Sequence, residues 1–220
     1  MAVLWPIVAY HVAVALSQID LPLDGPPPPA EVLTFLEDAE IRIARYLSGR
    51  PHGVMPSFVP CDGRAVYHGL ERIRARSLAP GDDFCEWGAG FGIAACLAAK
   101  LGFHAFGIEI EETLVAEAQS LAEDAGLDVQ YACGTFVPEG GDHFLDLIRE
   151  FEWLKAGGDC GYALLDYEPD EFDIVFAYPW PGEEDTVIDL FERYAATGAL
   201  LVTYQGKDDV HVRRKVRKRR

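Results

Sequence analysis

From Asp83 to about Gln205 the chain alternates short apolar runs with amphipathic ones, and no other feature narrows its fold so far. "FCEW" (84–87), "HAFGIEI" (104–110), "DVQYAC" (128–133), "FDIVFAY" (172–178) and "ALLVTYQ" (199–205) read as strands. Residues 92–101, 112–125, 142–156 and 185–197 read as helices between them. Leu114, Ala118 and Leu121 share one helical face, as do Phe144, Ile148, Phe151 and Leu154, and Asp185 and Gly198 stand as caps of the last helix. Strands apolar on both faces, each followed by a helix, belong in a parallel sheet covered on both sides. The expected fold class is α/β, a doubly wound and mostly parallel sheet preceded by a helical N-terminal region.

Upstream of Asp83 the sequence predicts no strand. Residues 30–48 read as a helix carrying Val32, Phe35, Ile41 and Ile43, and residues 63–76 as one carrying Val66, Leu70 and Ile73. "DGPPPPAE" is a stiff extended breaker before the first of these. The opening "MAVLWPIVAYHVAVALSQI" is uncharged when His11 is neutral and predicts a helix docked on the domain or on a partner. It is barely long enough for a membrane anchor and lacks the basic start of a signal peptide. The organisation expected is a helical region over residues 1–55, one catalytic domain over 56–212 and a basic tail over 213–220; 220 residues suit a single hydrophobic core. After Gln205 there is room for one more short strand, "VHVRRKV".

Charge separates the body from this tail. Of 19 Lys and Arg residues, seven fall in the last eight positions, while all 36 acids lie before them. So acidic a body repels phosphates and anionic membranes, and the basic tail is left as the segment able to contact nucleic acid or an acidic surface. Five cysteines, an odd number without a C-x-x-C pair, read as reduced core thiols of a cytoplasmic protein and not as a zinc site or disulfide frame, so no metal is expected.

The turn after the first of these strands, Gly88-Ala89-Gly90-Phe91-Gly92, carries three glycines in five positions and runs into a helix. Such a turn lets a ligand approach bare backbone at the carboxyl end of the sheet. A dinucleotide fingerprint would need glycine at position 93, where Ile93 stands. Glu86-x-Gly88-x-Gly90-x-Gly92 instead resembles motif I of the class I, seven-strand, Rossmann-like S-adenosylmethionine-dependent methyltransferases. Gly107-Ile108-Glu109-Ile110-Glu111 resembles the end of that family's second strand. The resemblance spans residues 56 to about 205 and implies S-adenosyl-L-methionine as cofactor. By it, Glu109 binds the ribose hydroxyls, Glu86 lies near the methionine ammonium and the glycines lie under the methionyl chain. Thr135 stands where the family often carries Asp against the adenine amine. The family's sheet also ends in an antiparallel strand pair, for which this chain leaves too little room after Gln205.

Ala177-Tyr178-Pro179-Trp180 distantly resembles the N/D-P-P-Y/W box that holds a planar amine, but Tyr178 replaces its first residue. What Tyr178 and Trp180 offer, followed by Glu183, Glu184 and Asp185, is an aromatic wall beside acids, which attracts an ammonium. They are the candidate catalytic residues. "PSFVPCDGRAVYHGLERI" is similar to the segment before motif I in the small lysine methyltransferases related to the ATP synthase c-subunit lysine enzyme. That likeness implies that Phe58, Val59, Pro60 and Cys61 fold over the cofactor. The activity expected is methyl transfer to an amine acceptor, on a protein lysine or a small molecule, with cofactor binding without catalysis as the alternative.

Overall fold

The computed structural model describes residues 14–49, 58–141, 158–206 and 209–217. The helix expected over residues 142–156 lies outside them. In chain order the elements are β1 (Val14–Ile19), α1 (Ala30–Ser48), α2 (Gly63–Ala75), β2 (Asp83–Trp87), α3 (Ile93–Lys100), β3 (His104–Glu109) and α4 (Glu112–Asp124). They continue with β4 (Val129–Cys133), α5 (Gly161–Leu165), β5 (Ile174–Ala177), α6 (Glu184–Tyr194), β6 (Leu200–Tyr204) and β7 (Val210–Arg217). One seven-stranded sheet runs β1-β7-β6-β5-β2-β3-β4. The five strands β6 to β4 are mutually parallel, and β7 is antiparallel to both β6 and β1. The expected α/β sheet, mostly parallel, is present.

Each central strand divides its residues between two cores. Phe84, Ala105, Ile174, Phe176, Leu200 and Val202 face a cluster completed by α1, α2, α3 and α4. Cys85, Phe106, Ile108, Val175 and Leu201 face a second cluster with Tyr162 of α5 and Val187, Leu190 and Phe191 of α6. Burial on both faces is why these strands read as continuous apolar runs. On α1 the buried stripe is Val32, Phe35, Leu36, Ala39 and Ile43, whereas Ile41, expected on it, is 59% exposed. Arg42 of α1 reaches Asp124 at the end of α4, at 2.7 Å, and ties the added helix to the sheet's own layer.

Three readings of the chain's two flanks need correction. Residues 14–19, expected in a helix, are strand β1 and pair with β7 from Val14↔Arg217 to Ile19↔Val212. The predicted strand 210–216 exists, but it takes in Arg213, Arg214 and Lys215, so these are not a free tail and the sheet extends beyond residues 56–212 on both sides. The antiparallel edge that had seemed truncated is complete, because β1 supplies its outermost strand. The basic side chains there serve the fold. Arg213 meets Glu184 and the Thr203 hydroxyl, Arg214 donates to the Leu78 carbonyl at 2.7 Å, and buried Lys215 donates to the Ala195 carbonyl just past α6.

Sequence order places the switch point between β2 and β5: the chain moves from β2 outward through β3 to β4, then returns across the sheet to β5. Loops leaving β2 and β5 at their carboxyl ends therefore diverge and open a crevice. On β4, Tyr131 packs against the glycine turn that borders that crevice. Its hydroxyl donates to the Gly92 carbonyl at 3.3 Å, and its ring fills the space that a Cβ at Gly92 or Gly107 would need. Gly107→Ala would set a Cβ 2.6 Å from that ring. We expect it to cost about 1–3 kcal/mol as overpacking. Urea unfolding should show Gly107→Ala and Tyr131→Ala together to be less damaging than the sum of the two single changes.

Candidate functional site

A cavity of about 490 Å³ occupies the crevice. Its walls come from the loops after β2, β3, β4 and β5 and from Phe58, Val59 and Cys61 ahead of α2. Of the residues expected at the site, Glu86, Gly88, Glu109, Thr135, Tyr178 and Trp180 line it; Gly90, Gly92 and Pro60 do not.

The glycine turn is held from below by two buried carboxylates. Gly92, at φ 68°, precedes α3 and has no side chain to cap it, so Glu86 reaches across from β2 and its Oε2 accepts from the Ala95 N–H at 2.8 Å. From β3, Glu109 accepts from Gly90 N–H at 2.8 Å through Oε2 and from Ile110 and Glu111 N–H at 2.7 and 2.9 Å through Oε1. The Gly88 and Ala89 amides both donate to the Ile108 carbonyl. The Gly88, Ala89, Gly90 and Gly92 amides are thus spent on the protein itself. What it leaves open is Gly88, where an added Cβ would meet nothing within 4 Å. At Gly90 the obstacle is the Phe58 ring, 2.4 Å from such a Cβ, so glycine is required there by the strand of chain folded over the turn.

This arrangement discriminates between ligands. A pyrophosphate needs free amides at a helix N-terminus, and here a carboxylate occupies that place. The site instead favours positive charge beside Glu86. Glu109 uses three of the roughly four acceptor positions of a carboxylate, which leaves about one for a ligand hydroxyl. Burial raises the Glu86 pKa to about 8, against the opposing pull of the Ala95 and Ala94 amides, and burial likewise raises that of Glu109. Burial and the Glu86 charge push the Cys61 thiol up, so it faces the cavity as a neutral thiol.

Two regions flank the turn. Beyond β3 and β4 the wall carries Ile110, Thr135 and Phe136, with Phe136 stacked on Trp87 at 5.2 Å between ring centroids. Apolar faces beside a carboxylate suit a flat nucleoside base. The Thr135 hydroxyl accepts from the Val137 N–H at 3.1 Å. Beyond β5, Tyr178 packs edge-on against Tyr204 at 4.8 Å, and Trp180 and Glu183 follow. Of the three successive acids, Glu183 is 3% exposed and lines the cavity, whereas Glu184 turns to Arg213. Ile110, Phe136 and Phe176 were not anticipated from sequence; an aromatic directly after Thr135, at the exit of a strand, was the available signal for Phe136. Among the described residues no group of three His, Cys, Asp or Glu is placed to hold a metal, and no helix is long and apolar enough to cross a membrane.

No protein-family model and no curated protein matches the sequence. Solved structures do match the fold. An RNA methyltransferase from Salinibacter ruber, in complex with S-adenosyl-L-homocysteine, is 17% identical with a TM-score of 0.50 over 74% of this chain and 96% of that one. An O-methyltransferase from Bacillus cereus, also in complex with S-adenosyl-L-homocysteine, is 17% identical with a TM-score of 0.46, over 80% and 66%. The fold is the Rossmann-like fold of the methyltransferases.

Glu86 makes a checkable contribution to stability. Its pKa is raised in the folded chain, so between the unfolded value and about 8 the native state holds a proton that the unfolded state has lost. Stability from this group is full at acid pH and falls as pH rises through that window, by at most about 1.4 kcal/mol per pH unit. Glu86→Gln keeps an acceptor for Ala95 but cannot ionise. Urea unfolding from about pH 5 to 8 should show a shallower loss in the variant than in the parent chain.

Proposed function

We propose that the chain is an S-adenosylmethionine-dependent methyltransferase acting on an amine, on a protein lysine or a small molecule. The observation that carries this reading is Glu86 at the N-terminus of α3, where it takes the amide a phosphate would use and where an arriving ammonium would favour its ionised form, with Glu109 one strand away to accept from a hydroxyl. A ligand with an amino-acid end and a nucleoside end matches that pair. The cavity volume falls in the range of pockets for ligands of this size. The fold shared with the Salinibacter ruber enzyme, which was solved with S-adenosyl-L-homocysteine, supports the same cofactor.

The residues present fit that group. Glu86 would hold the ammonium, Gly88 would admit the methionyl chain, Glu109 would accept from a ribose hydroxyl, and Ile110 and Phe136 would enclose the base beside Thr135. When bound, S-adenosylmethionine supplies a methyl group on a sulfonium whose departure leaves a neutral thioether. The protein's own work is alignment and exclusion of water. Phe58 covers the turn, Val59 lines the cavity beside it, and Tyr178 and Trp180 would wall the side where an acceptor enters. Aromatic faces next to Glu183 favour an ammonium in the encounter. A charged amine has no lone pair to give, so it must lose its proton in the site before the nitrogen–methyl bond can form.

Calorimetry should show binding of S-adenosylhomocysteine and none of NAD(H). Glu109→Ala should weaken that binding by about 1–3 kcal/mol, the scale of buried donors left unpaired. Incubation of labelled S-adenosylmethionine with cell extract should place the label on an amine, and a labelled ester, thioether or base would refute the acceptor class. Trp180→Ala should lower turnover while S-adenosylhomocysteine still binds, because it removes acceptor alignment and leaves the glycine turn intact.

A further inference from the structure

We infer that Glu183 is the specificity-determining residue of the acceptor half of the cavity, the carboxylate that receives an alkylammonium ion; this rests on the methyltransferase reading and names its acceptor site. The acids that line the cavity fall at two ends. Glu86 and Glu109 lie on β2 and β3 and Glu111 just past β3, and Glu183 lies beyond β5, beside Tyr178 and Trp180. The neighbours of Glu183 in sequence are turned elsewhere. Glu184 accepts from Arg213 Nη2 at 3.1 Å and from the Gln205 side-chain amide, and Asp185 is exposed. An acidic run that reads as diffuse in sequence thus resolves into one carboxylate facing the cavity.

That carboxylate is fixed relative to the aromatic wall. The Glu183 N–H donates to the Trp180 carbonyl at 2.9 Å, and Glu183 Oε2 accepts from the Trp180 N–H at 3.3 Å. The two bonds, both to the main chain of Trp180, close a turn from Trp180 to Glu183 and hold the carboxylate against the backbone that carries the indole. Phe176, Ala177, Pro181 and Val187 add apolar surface to the same cavity. A carboxylate lining a largely apolar wall attracts a cation more strongly than one in water, and the same apolar surface suits the alkyl stem behind an ammonium. A hydroxyl or a planar base gains nothing comparable there. The chemistry therefore selects a primary or secondary alkylammonium, as at the end of a lysine side chain or on a small aliphatic amine.

The test uses n-butylammonium chloride, with n-butanol as its neutral counterpart of similar length, titrated by calorimetry into the full chain with and without S-adenosylhomocysteine. Wild type should bind butylammonium more tightly than butanol. Glu183→Gln should weaken butylammonium binding at least about tenfold while leaving butanol unchanged, and Glu184→Gln should behave as wild type. S-adenosylhomocysteine affinity equal to wild type in Glu183→Gln will show that the cavity is intact in that variant. Equal butylammonium affinity in Glu183→Gln and wild type overturns the inference, as does wild type with no preference for the ammonium. Should wild type fail to bind S-adenosylhomocysteine, the methyltransferase reading falls, and the butylammonium contrast in the cofactor-free chain still decides the role of Glu183.

Discussion

The hydrogen bonds that Glu86 and Glu109 accept from the glycine turn are the constraint on which the rest of the site depends. A helix that starts at a left-handed glycine has no side chain of its own to satisfy its first amides. Glu86 meets that need from within the sheet, so that one residue both caps the helix and lines the cavity. The price is a buried carboxyl whose ionisation is disfavoured. Tyr131 and Phe58 then press on the turn from two sides, so that its shape is fixed before any ligand binds.

Much of this was legible because it is periodic. The five central strands and α1, α2, α3, α4 and α6 follow from apolar spacing, and the glycine turn stands out by composition. Glu86, Glu109, Tyr178 and Trp180 were legible as cavity-lining residues by position, since they lie at or just past the carboxyl ends of strands that form the crevice. What sequence misassigned was the purpose of the glycines. Gly90 and Gly92 looked like bare backbone for a ligand, but their missing Cβ atoms make room for Phe58 and Tyr131. No local pattern reveals which of several turn glycines faces a cavity and which faces a neighbouring ring.

The flanks were misread for a related reason. An uncharged stretch such as residues 14–19 satisfies helix and strand patterns equally, and its partner β7 lies at the far end of the sequence. The basic residues of β7 looked like a solvated tail because their partners, Glu184, Leu78 and Ala195, are contributed by distant loops and by the two ends of α6. The short α5 is too brief to carry a helical period. At both flanks the missing information was a long-range pairing, which composition does not encode.

The pairing of β1 with β7 has a kinetic consequence. Val14 and Arg217 are joined across nearly the whole chain, so their contact carries the largest loop-closure entropy in the sheet and belongs to the last stage of folding. The same edge is the natural place for the native state to fray first. Arg213 of β7 holds Glu184, the residue next to Glu183, so fraying at the sheet's rim would release the start of α6 and slacken the cavity wall. Amide exchange along β1 and β7 and at the start of α6 would then share one opening rate, and the rim of the sheet would act as a remote latch on the pocket.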